Sequence, residues 1–109
     1  MAEDPTDPAT LDPGRLRRLR CQRDGYRAAL RDAADRLREL RHELRELEGR
    51  KAKNEERGAG LPRADADRLA ELQAEVTALQ AYHDEIQNAH RAHARLVANC
   101  EAYLEGEPS

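Results

Sequence analysis

The chain has no tryptophan and no phenylalanine, and only three tyrosines among 109 residues. An ordinary core is filled largely by bulky apolar and aromatic side chains, so this scarcity argues against a compact globular domain. No apolar run is long enough to span a bilayer. The first residues, Met1 to Asp12, are acidic and proline-rich and lack the basic and apolar regions of a signal peptide, which makes the cytoplasm the expected location. The two cysteines, Cys21 and Cys100, form neither a Cys-x-x-Cys pair nor a disulfide framework. Hydroxyl side chains are scarce too, with Thr77 the only one in a helical stretch, and no glycine-rich loop follows a strand. Nothing brings a nucleophile to a base, so the expectation is a non-enzyme without a cofactor.

What the chain does contain is charge, leucine and alanine. Charged residues make up 38% and hydrophobic residues 39%, a composition suited to long, surface-rich helices. Net charge is −3 and the sequence pI near 5.8, so the whole chain has no electrostatic reason to wrap nucleic acid or coat an anionic membrane. From Leu16 to Leu47, the residues Leu16, Leu19, Tyr26, Leu30, Ala33, Leu37, Leu40, Leu44 and Leu47 recur at alternating steps of three and four. This is a heptad seam in which Arg23 takes one apolar slot. A second seam follows through Leu69, Leu72, Val76, Leu79, His83, Ile86, His90, His93, Val97, Cys100 and Leu104.

A narrow seam on a charged helix is not stable alone and must be laid against another helix. Between the two seams lies Gly58-Ala59-Gly60-Leu61-Pro62, a concentrated helix breaker that favours folding back over one continuous helix. The expected fold is therefore all-α, an antiparallel two-helix coiled-coil hairpin. Its parts are an acidic, disordered, Pro-rich arm over 1–12, a first helix over 13–57, a turn over 58–63, a second helix over 64–104 and a disordered tail over 105–109. Asp12 followed by Pro13 is a helix-start signal, and Asp65 or Asp67 is a candidate cap for the second helix, or a first-turn charge if that helix begins nearer Pro62. In this register Leu47 lies beside Leu72, Leu40 beside Leu79, Ala33 beside Ile86, Tyr26 beside His93 and Leu19 beside Cys100.

Two narrow seams leave each core residue with a single facing helix, and the burial barely offsets the entropy of ordering the chain. The second helix carries a further row, Tyr82, Ala89, Leu96 and Tyr103, spaced by seven, and the first offers Ala28, Ala29, Ala33 and Ala34 as a small-residue patch. Ala29, Ala33, Tyr82, Ala89, Leu96 and Tyr103 are thus the candidate self-association residues, with two hairpins forming a four-helix bundle. The expected partners are a second copy, as a homodimer, and a further protein.

His83, His90 and His93 share one helix face. His90 and His93 are one turn apart, with Asp24 the nearest carboxylate on the other helix, but two histidines without a third ligand make no metal site, and none is expected. Histidines in a seam can also make assembly pH-sensitive, because they gain charge near pH 6. Cys100 falls on the seam as a small buried hydrophobe, and Cys21 on the opposite face as an exposed thiol.

Between Arg15 and Arg31 there are seven arginines, Arg15, Arg17, Arg18, Arg20, Arg23, Arg27 and Arg31, against one aspartate, Asp24, giving a local charge of +6. They form a candidate anion or nucleic-acid patch, although they encircle the helix and no aromatic ladder accompanies them. The tail Tyr103-Leu-Glu-Gly-Glu107 resembles the Tyr-x-x-x-Asp/Glu signal of small type VII secretion substrates of the WXG100 class, which are helical hairpins of similar length. That resemblance implies a small secreted partner protein. The family's Trp-x-Gly turn is replaced here by Glu56-Arg-Gly-Ala-Gly-Leu-Pro62. The basic hairpin is similar in outline to the tRNA-binding arm of seryl-tRNA synthetases. The leading reading is a non-enzymatic interaction and assembly module. A nucleic-acid-binding or regulatory helical protein is the alternative, and a secreted partner protein the third.

Overall fold

Two long helices make up nearly all of the computed structural model, which describes residues 13–106. Helix α1 spans Pro13–Glu56 and α2 spans Arg63–Gly106, each of 44 residues, and there is no strand among the described residues. Leucine, alanine, arginine and glutamate dominate both, and all are strong helix formers. The expected ends at 57, 64 and 104 differ slightly from these, since α2 takes in Arg63 and continues through Glu105 and Gly106. The acidic arm over 1–12, with its Asp12 cap, and the tail over 107–109 lie outside the described residues.

The turn is closed by backbone chemistry that the glycines permit. Gly58 sits at φ +76°, its N–H donating to the Glu55 carbonyl at 3.0 Å, while the Ala59 N–H reaches the Asn54 carbonyl at 2.8 Å. This pair of bonds is the Schellman arrangement, which satisfies carbonyls that the helix end leaves open. Asn54 adds a side-chain bond from Nδ2 to the Gly60 carbonyl at 3.3 Å. At the start of α2, the Pro62 carbonyl accepts the Ala66 N–H at 2.9 Å, so Pro62 occupies the cap position and neither Asp65 nor Asp67 does. Asp65 instead lies in the first turn, where its charge favours the positive helix end, 3.8 Å from Arg50.

The chain divides into two units, each containing a stretch of both helices. The unit Arg31–Asp84 holds the turn and is a helical hairpin. Its core is Leu40, Leu47, Leu69 and Leu72, with Leu44, Leu61, Val76 and Leu79 packed against it, a cluster that includes the expected Leu47/Leu72 and Leu40/Leu79 partners. Leu61 from the turn joins this cluster, tying the connector to the hydrophobic seam it links. Antiparallel pairing follows from the ladder of cross-helix contacts Arg50–Asp65, Arg68–Glu43 and Arg36–Glu75.

The other unit comprises the described residues up to Leu30 and those from Glu85 onward. Its core is Leu16, Leu19, Val97 and Cys100, with Leu96 against it. Tyr26 and His93 meet edge to face, with ring centroids 5.6 Å apart at 68°. Leu104, expected in the seam, is 45% exposed.

Candidate functional site

In the unit Arg31–Asp84 the two helices present different surfaces to solvent. The outward positions of α1 are charged, Arg31, Asp32, Asp35, Arg38, Glu39, Arg41, Arg45 and Glu46 among them. Helix α2 also exposes Arg63, Asp67, Glu71 and Asp84, but between Glu71 and Asp84 its exposed residues, Gln73, Ala74, Thr77, Ala78, Ala81 and Tyr82, carry no charge, and Tyr82 is 46% exposed. Beside this run is an open groove. Arg36 and Leu40 line it from α1, and Glu75, Ala78, Leu79 and Tyr82 from α2. Its floor is leucine and alanine, and its two charges stand on opposite helices, Arg36 Nη2 being 4.0 Å from Glu75 Oε2.

One rim of the groove adjoins a polar cluster around Arg68. The guanidinium donates from Nε to Glu43 Oε1 and from Nη2 to Glu43 Oε2, at 2.9 and 3.0 Å. Its Nη1 lies 3.4 Å from Glu71 and 3.6 Å from Glu75. The hydrogen bond from Arg68 is the main cause that holds the Glu43 carboxyl below its ordinary range, and the same bond raises Arg68. Farther along, Arg41 Nη2 donates to Gln80 Oε1, and Gln80 Nε2 donates to Asp84 Oδ1 at 2.9 Å. The bond from Gln80, reinforced by His83 Nδ1 at 3.4 Å, lowers the Asp84 carboxyl. Of these contacts, Arg68–Glu43 and Arg41–Gln80 cross-link the two helices and favour one axial alignment, while the others lie within α2.

The candidate self-association residues separate into used and unused. Ala33 is 5% exposed and therefore belongs to the interior, which removes it from any docking surface. Leu96 packs on the core of its own unit, and Ala29 and Ala89 are half-buried. Tyr82 and Tyr103 are the members left exposed, joined by Leu104. Sequence reasoning named Tyr82 but missed the groove beside it. The signal was available in Glu75, Ala78, Leu79 and Tyr82, spaced as one face of a helix, with a charge at only one of the four positions.

The arginines of the first turns are partly neutralised within their own unit. Arg20 Nε reaches Glu101 at 2.9 Å and Arg23 lies 3.8 Å from the same carboxylate. Arg23 and Arg27 also flank Asp24, at 3.4 and 3.6 Å. Arg17 and Arg18 are exposed, as is Arg31 in the other unit, and Arg15 has an interaction of its own. Glu101, absent from the sequence tally for residues 15–31, arrives from α2 and makes the patch less basic than its +6 suggests.

The histidines do not converge. His93 Nε2 is 3.0 Å from the Leu19 carbonyl, which can only accept, so this nitrogen carries the proton. His90 Nε2 is shielded from solvent and has no hydrogen-bond partner. Among the described residues no group of three histidine, cysteine, aspartate or glutamate side chains is placed to hold a metal ion. Cys100 is buried and Cys21 exposed, both as free thiols. No described helix is long and apolar enough to cross a membrane. The chain matches no protein-family model, no curated protein and no solved structure.

Proposed function

We propose that this chain is a non-enzymatic assembly module, a helical hairpin that associates with a second copy of itself and so brings bound partner proteins together. The observation that carries the reading is the uncharged exposed face of α2 at Ala74, Thr77, Ala78, Ala81 and Tyr82, set against an α1 whose outer positions are charged. A helix that needs only to stay in solution gains nothing from an exposed aromatic residue on a charge-free strip. Burial supports the same reading. Ten hydrophobic side chains are buried among the described residues, a small interior for 44-residue helices whose every backbone unit must be ordered.

Light scattering or equilibrium sedimentation across a concentration series tests the proposal. The expected result is a reversible dimer in the micromolar range, with helix content rising as dimer forms. A strict monomer at high micromolar concentration would overturn it.

A further inference from the structure

We propose that the groove lined by Leu40, Ala78, Leu79 and Tyr82 receives the same groove of a second copy, related by a two-fold axis parallel to the helices. The inference rests on the self-association reading and adds to it the surface, the symmetry and the charge pairing. A second copy is favoured over a foreign helix by the distribution of charge. The groove carries a cation, Arg36, on its α1 edge and an anion, Glu75, on its α2 edge, at the same axial level, 4.0 Å apart. A foreign helix of uniform charge suits only one edge. An identical groove turned by the two-fold suits both.

The same charges select the axis. With the two-fold parallel to the helices, α1 of one copy lies on α2 of the other, and each Arg36 meets the Glu75 of the opposite copy. With the two-fold perpendicular to them, α1 lies on α1, and each Arg36 meets its own equivalent. Like charges brought together at a dehydrating interface work against that arrangement. In the favoured one, Tyr82 closes over the α1 edge of the facing groove, adding an aromatic anchor to a floor of leucine and alanine. Arg36 also reaches Glu39 at 3.3 Å and Glu75 reaches Arg68 at 3.6 Å, so pairing across the interface exchanges these contacts for new ones, which side chains 55% and 38% exposed have room to do.

The test is sedimentation equilibrium on the full chain, with circular dichroism to check that each variant remains helical. Tyr82→Ala is expected to raise the dimer dissociation constant by about tenfold or more. Arg36→Glu and Glu75→Arg are each expected to weaken the homodimer. An equimolar mixture of those two single variants is expected to restore a heterodimer, and the double variant R36E/E75R a homodimer. If the wild-type chain dimerises but Tyr82→Ala and both charge reversals leave the dissociation constant unchanged, the groove is not the interface, although self-association stands. If the single reversals weaken nothing while the mixture binds more tightly than wild type, the axis is the perpendicular one. If the wild-type chain is a monomer, this proposal and the reading beneath it both fall.

Discussion

Arg68 grips Glu43 at two points, Nε to Oε1 at 2.9 Å and Nη2 to Oε2 at 3.0 Å, across the two helices of the hairpin. The fork of the guanidinium matches the carboxylate, so the contact fixes which turn of α1 lies beside which turn of α2. Leucine seams alone do not do this well, because a slip of seven residues brings leucine against leucine again. Apolar packing holds the helices together, and charged pairs such as this one choose their alignment.

A pH dependence follows from that contact. The Glu43 carboxyl is depressed chiefly by its bond from Arg68, and Asp84 by its bond from Gln80. A carboxyl whose folded-state pKa lies below its unfolded value contributes stability above the unfolded value. That contribution is lost as pH falls through the folded one. Thermal melts should therefore be flat through neutrality and fall once pH drops below about 4.3, the ordinary glutamate value. The variant Glu43→Gln should begin with a lower melting temperature at pH 7 and show a shallower acid limb. Because both partners are partly exposed, the difference should shrink in high salt.

Burial predicts which leucines matter. Leu72 is fully buried within the four-leucine cluster, so Leu72→Ala removes packed methyl groups and leaves a cavity, at a cost of about 2–5 kcal/mol. Leu104, 45% exposed, should tolerate alanine within about 0.5 kcal/mol. Urea midpoints of the two variants measure the contrast directly. The spacing of leucines in the sequence ranks them as equals.

That difference shows how far periodicity carries. Steps of three and four name a helix face, and a glycine-proline bend says that two such faces return to one another, so the hairpin and partners such as Leu40 and Leu79 were legible without coordinates. Periodicity does not say how much of a seam residue its neighbours cover, and so it placed Leu104, 45% exposed, in the seam. It placed Ala33 both in the seam and in a small-residue patch open to another copy, and burial bears out the seam and not the patch. The groove beside Tyr82 depends on which flank of the seam stays uncovered, which is set by the rotation of each helix about its axis. The neutralising role of Glu101 toward Arg20 spans 81 residues of sequence, and charge counting over a local window does not register it.

Two histidines on one face should respond oppositely to replacement. His93 donates from Nε2 to the Leu19 carbonyl, and its ring meets Tyr26. Substituting phenylalanine keeps the ring contact and loses the hydrogen bond, for an expected cost of about 0.5–1.5 kcal/mol. At His90 the shielded Nε2 has no partner, so His90→Leu removes a polar atom that pairs with nothing and should leave stability unchanged or raise it. Chemical denaturation of both variants checks the signs. Nitrogen-15 spectra of the wild-type chain should show His93 with its proton on Nε2.

The glycines supply the remaining contrast, and it isolates backbone conformation from packing. Gly25 and Gly49 lie inside α1, where a Cβ would meet nothing within 4 Å. Alanine at either position should therefore stabilise the chain by about 1 kcal/mol, since glycine in a helix interior loses more backbone entropy than alanine. Gly58 is equally open in space, yet its φ of +76° belongs to the left-handed region. Alanine there should destabilise by about 1–2 kcal/mol, because its Cβ crowds the following carbonyl oxygen in that conformation. Since none of the three new Cβ atoms meets a side chain or a distant backbone atom, tertiary packing is absent from the comparison. Opposite shifts in thermal midpoint would locate the hairpin's bend in the dihedral freedom of Gly58. A stabilising Gly58→Ala would mean that the chain turns without the Schellman closure between Ala59 and Asn54.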